Sequence, residues 1–147
     1  MSNDGFTLTE LMVTILIAAL LVGIAVPSYT TQVRKSRRTQ ARTALLDLAA
    51  REERFNSTNS VYTSTPANLG YPGMWPIQVG SGYYQVTVCV NATLASCPAD
   101  AGTGAAFLLT AKPINAQQGD TQCGSFTLDN TGAEGVAGTG TAADCWN

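Results

Sequence analysis

The hydrophobic pattern changes character along the chain. From Leu11 to Val33 no side chain ionises except that of Tyr29, and the stretch LMVTILIAALLVGIAV, Leu11 to Val26, is apolar but for Thr14 and Gly23. A run with no polar face reads as a membrane-crossing helix, and its 23 residues would span roughly 34 Å. After Pro27 the period becomes that of an amphipathic helix: Ala41, Leu45, Leu48 and Phe55 recur at three-, four- and seven-residue steps, while Arg42, Asp47, Glu53 and Arg54 take other faces. Asn56-Ser-Thr-Asn-Ser60 should stop it, because these side chains compete for backbone hydrogen bonds. Pro27 lacks a backbone donor and is expected to kink or loosen the helix, which would measure about 75 Å from Phe6 to Phe55 if unbroken.

Beyond residue 82 the pattern alternates. Tyr83 to Val90, Ala105 to Lys112 and Gly124 to Asp129 read as strands, separated by turn-rich Pro98 to Gly104 and Pro113 to Asp120. Residues 56 to 82, with Pro66, Pro72 and Pro76, are expected to form an irregular connection. The fold class is α+β: a long N-terminal helix, transmembrane in its first half and amphipathic in its second, packed against a small antiparallel sheet that buries Leu45, Leu48, Phe107, Leu109 and Phe126 together.

The length of 147 residues suits one domain. Charged residues make up only 12%, and there is no His, which removes imidazole catalysis, His-ligated zinc and imidazole pH switching. The remaining acids are scattered, so no enzymatic chemistry and no cofactor is expected. The net charge of -2 is segregated: residues 1 to 33 carry Asp4 and Glu10, residues 34 to 54 carry seven cations against three acids, and residues 55 to 147 carry Lys112 against five acids.

Cys89, Cys97, Cys123 and Cys145 are even in number and follow the apolar run, which reads as a disulfide framework made in an oxidising compartment. Their spacings lack the short knuckles of structural zinc sites, so no metal is expected. Three pairings are open on sequence grounds. The nearest-neighbour pairing, Cys89 with Cys97 and Cys123 with Cys145, would close a strand-end loop and a C-terminal loop. The Gly/Ala/Thr stretch from Thr131 to Thr141 has little apolar volume to hold itself, so a tie across it matters. Arg34, Lys35, Arg37 and Arg38 just after the apolar run would by charge bias favour the cytoplasm; the cysteines outweigh that tendency and put the head outside.

The sequence Gly5-Phe6-Thr7-Leu8-Thr9-Glu10-Leu11-Met12 resembles the processing motif of type IV pilins: a Gly before the cut, a Phe that becomes the new N-terminus, and a Glu at its fifth position. Val26-Pro-Ser-Tyr29, Leu45-Leu-Asp-Leu-Ala-Ala-Arg-Glu-Glu-Arg-Phe55 and the region from Cys123 to Trp146 also look like this family, most like minor pilins of the PilE type in the type IVa system. The resemblance implies a leader of residues 1–5, a transmembrane and assembly helix over 6–33, and a periplasmic head over 34–147. It implies that a prepilin peptidase cuts between Gly5 and Phe6 and methylates the Phe6 amine, and that the Glu10 carboxylate meets the ammonium of a neighbouring subunit during assembly. A Cys123–Cys145 bond matches the family's C-terminal disulfide region.

The implied function is a structural minor pilin, taking part in pilus assembly, adhesion and twitching motility. Its partners would be major and minor pilins, the prepilin peptidase and, before assembly, the inner membrane; after assembly it would be extracellular. The alternatives are a DNA-binding minor pilin for natural transformation and a type II secretion pseudopilin. The basic run from Arg34 to Arg42 invites the former, but it lacks interleaved aromatics and the acidic residues beyond 55 repel phosphates, which counts against nucleic acid as a partner. Asn56-Ser-Thr58 and Asn91-Ala-Thr93 match glycosylation sequons, Gly132 to Gly140 is no phosphate loop because it has no Lys, and Trp75 and Trp146 read as packing residues.

Overall fold

The computed structural model describes residues 6–91 and 102–147. The helix α1 runs from Leu8 to Asn59, and then come β1 (Tyr62–Thr63), β2 (Ile77–Val79), β3 (Tyr84–Val90), β4 (Thr103–Gly104), β5 (Phe107–Pro113), β6 (Phe126–Asp129), β7 (Glu134–Val136) and the short α2 (Ala142–Trp146). Two compact units divide after Lys35.

In the first unit every described side chain from Phe6 to Gln32 is exposed. Leu8, Ile15, Leu16, Leu20, Leu21 and Ile24 are each more than half exposed. It is long and apolar enough to cross a membrane. The helical span continues through position 27.

In the second unit, β2-β3-β5-β6-β7 form an antiparallel meander, and β1 and β4 form a separate two-stranded ribbon. Tyr84, Val86 and Val88 of β3 alternate inward and meet Leu109 and Ala111 of β5 and Phe126 and Leu128 of β6. Ala41, Leu45 and Leu48 of α1 complete the same core, with Phe55 partly buried against it. The five residues expected to share a core do so, and the three anticipated strands appear within two residues of their expected ends.

Several expectations need correction. The helix does not stop at Phe55 but runs to Asn59, because Ser57 Oγ and Asn59 Nδ2 donate to the carbonyls of Arg54 and Phe55 inside the helix instead of competing with it. It ends at Ser60, whose φ of 58° is left-handed and whose N–H still reaches Asn56 O at 2.7 Å. The connection from 56 to 82 is ordered by β1, a 3₁₀ turn over Pro66–Leu69 and β2, and Thr103–Gly104, read as part of a separator, pairs with β1. The second separator contains a 3₁₀ turn over Asn115–Gly119. The stretch from Thr131 to Thr141 includes β7, which pairs with β6.

Candidate functional site

The start of α1 is organised around Glu10. Thr7 precedes the helix, its N–H and Oγ1 donate to Glu10 Oε2 at 3.1 and 2.8 Å, and Glu10 N–H donates to Thr7 Oγ1 at 3.3 Å. This reciprocal pair is a capping box, which satisfies otherwise orphaned donors at a helix start. Thr7-Leu-Thr-Glu10 carries that signature in the sequence, a role for Glu10 that reading it for assembly alone had missed. Phe6 lies just before the helix and is 83% exposed. Gly5 and the rest of the expected leader lie outside the described residues.

In the second unit the buried face of α1 follows the steps Arg38, Ala41, Leu45, Leu48, Glu52, so two of its positions are ionisable. Arg38 makes a two-pronged pair with Asp120: Nε to Oδ2 and Nη2 to Oδ1 are both 2.6 Å. Gln117 Nε2 donates to Asp120 Oδ2 at 3.0 Å and to Tyr84 Oη at 3.2 Å, which extends the pair into a buried polar network. The hydrogen bonds that Arg38 donates to Asp120 raise its pKa, so the guanidinium stays charged. Of the cationic run, Arg37 lies over the Tyr83 ring at 3.5 Å, and Arg42 donates to Trp146 O and to Thr39 Oγ1. The run thus serves its own head, as a helix flank would.

Glu52 is different. It is fully buried, its Oε2 accepts the Thr63 N–H at 3.0 Å, and its Oε1 has no partner among the described residues. Burial raises its pKa to about 7, against the lowering effect of the Thr63 N–H. An apolar-period reading skips Glu52 because it counts only apolar residues, although its place after Leu45 and Leu48 lies on the same helical steps.

Cys123 and Cys145 form a disulfide. Cys89 is also disulfide-bonded, and Cys97 lies outside the described residues, as does Thr93 of the second sequon. The bond does not hold the Gly-rich stretch alone. Ala137, Gly138, Thr139 and Gly140 donate their N–H groups to the carbonyls of Ser125, Cys123, Thr121 and Gln122 at 2.8 to 3.1 Å. A Cβ at Gly138 would lie 2.2 Å from Gln122 O, so only Gly permits this approach. Trp146 packs on Phe126 with ring centroids 5.7 Å apart, and its Nε1 donates to Gly135 O. Trp75 Nε1 donates to Ser64 O, and both indoles pack on the core, as expected. Among the described residues no group of His, Cys, Asp or Glu could hold a metal ion.

The family comparisons converge on these features. The prokaryotic N-terminal methylation motif matches residues 1–26, the segment containing Phe6 and the capping box. The type IV major pilin protein PilA of Myxococcus xanthus is 32% identical over 69 residues, which is 47% of this chain and 31% of that relative, so the match spans under a third of the relative. The solved structure of a type IV pilin from Shewanella oneidensis superposes with a TM-score of 0.50 at 26% identity, covering 78% of this chain and 98% of that one. A family described as "Type IV minor pilin ComP, DNA uptake sequence receptor" matches residues 27–127, more than half of the sequence, and on that match the chain belongs to the type IV minor pilins.

Proposed function

We propose that the chain is a membrane-inserted precursor that becomes a minor subunit of a type IVa pilus, with a role in pilus assembly, adhesion and twitching motility. In this reading residues 1–5 are a leader, 6–33 the stem, and 34–147 a head that lies in the periplasm before assembly and outside the cell afterwards. A prepilin peptidase cuts between Gly5 and Phe6 and methylates the new amine. The carrying observation is the exposed apolar surface of the stem among the described residues. Out of lipid such a surface is insoluble unless bundled with stems of other pilins. A carboxylate at Glu10 is costly in hydrocarbon without a partner, and the new ammonium of a neighbour supplies an opposite charge. Mass spectrometry of sheared pili tests this. N-methyl-Phe6 at the start of the incorporated chain is expected; an intact Met1 in the filament overturns the reading.

A second reading, DNA capture during natural transformation, is favoured by the description of the family that matches residues 27–127. Lys112 is the sole cation after Arg54 in the sequence, which works against it. Gel-shift of the full chain in detergent with double-stranded DNA decides. Binding that weakens steeply with salt supports DNA capture, and no shift at low salt removes it.

A further inference from the structure

The head contains a carboxylate that its packing does not explain. Glu52 occupies a core position between Leu48 and Phe55, is buried, and has one oxygen without a partner among the described residues. Its other oxygen is the only link that the described residues show between this side chain and β1, through the Thr63 N–H. A neutral carboxylic acid fits such a place at modest cost, whereas an ionised one demands water.

The strand whose amide binds Glu52 belongs to a short ribbon. β1 and β4 are two residues each, paired through Tyr62 with Gly104 and Thr63 with Thr103. Short ribbons are the first parts of a fold to open. Among the described residues no ion pair to Glu52 is formed. On α1, Arg51 is turned to Asp47 and to Leu69 O, and the nearest charge is that of Glu53, which raises the cost of ionising Glu52 and itself accepts from Tyr62 Oη at 3.0 Å. Tyr62 is the ionisable side chain on β1. On β3 it is Tyr84, which faces Gln117 and the Arg38–Asp120 pair, and on β5 it is the exposed Lys112. β4 and the turn Pro66–Leu69 carry none.

We propose that Glu52 is a proton-operated latch: protonated, it keeps the β1–β4 ribbon sealed onto α1, and ionised, it draws in water and lets the ribbon lift. The opening equilibrium should therefore grow about tenfold per pH unit while the closed form holds its proton and the open form does not, then level off above about pH 7.

Hydrogen–deuterium exchange of the full chain in detergent micelles, corrected for intrinsic base catalysis, reads this at the amides of Tyr62, Thr63 and Ser64, the last two bonded to Glu52 and to Gly102 O. Between pH 5 and 7 protection in the wild type is expected to fall about fortyfold. Glu52→Gln, which keeps an acceptor for Thr63, should show a flat profile. Glu53→Gln removes the neighbouring charge and should move the levelling point to lower pH. A flat wild-type profile, or a slope that persists in Glu52→Gln, overturns the latch. If Glu52→Gln fails to fold, an unmoved levelling point in Glu53→Gln overturns it instead, and a displaced one supports it.

Discussion

Arg38 and Asp120 lie 82 positions apart in sequence and meet in the interior of the head. A buried pair of this kind is weak evidence for net stability, but breaking it is costly, because the survivor remains a desolvated charge. Asp120→Ala is therefore expected to lower the unfolding free energy by about 3 to 5 kcal/mol, measured by urea titration of the full chain in detergent. The loss is compounded by Gln117, which would forfeit one of its two donor contacts. Glu52 sets the pH dependence. Its folded pKa, about 7, lies above the ordinary carboxyl value, so its contribution is complete below pH 4.5, declines as pH rises towards 7, and is constant thereafter. The decline should be of the order of 3 kcal/mol in the same titration, and Glu52→Gln should abolish it. At the other end of α1, Thr7→Val keeps the shape but loses the hydroxyl of the capping box. About 1 kcal/mol of local helix stability should go, seen as faster amide exchange over the first turn.

At the scale of elements, much was legible where one period ran long enough. The inward faces of β3, β5 and β6 follow strict alternation, and Ala41, Leu45 and Leu48 follow the helical steps, so the core could be read in advance. β1, β2, β4 and β7 hold two or three residues each, too few to show a period; β2 and β7 exist because longer neighbours pair with them, and β1 and β4 because they pair with each other. The helix end was misjudged because Ser57 and Asn59 can bond back into the helix as readily as out of it. Arg38, Glu52, Gln117 and Asp120 were invisible as a group for a related reason: polar residues are counted as surface unless a distant partner is known. The capping box was local and could have been found. Around the Cys123–Cys145 bond, the Gly-rich return strand makes its own test. Gly138→Ala drives a methyl into Gln122 O, backbone against backbone, and should destabilise the head by more than about 1 kcal/mol. Ser at Cys145 should lower the amount of mature protein in cells, since a closed loop of this size contributes about 3 kcal/mol.

The whole molecule couples two different kinds of solubility. The stem is insoluble by design of its sequence, and the segment from Ser36 onward has its own core, two-stranded ribbon and disulfide. A chain starting at Ser36 should leave detergent behind and stay in aqueous buffer, whereas the full chain should partition into micelles; centrifugation with and without detergent checks both. The meander ends on either side in a three-residue strand, and one of these, β7, lies against α2, where Trp146 takes up the Gly135 carbonyl. Sheet edges this brief and this occupied give a neighbouring head little main chain to zip onto. Copies gathered by their stems would then touch as separate beads, side chain to side chain, and could part again without any common ribbon having to be torn.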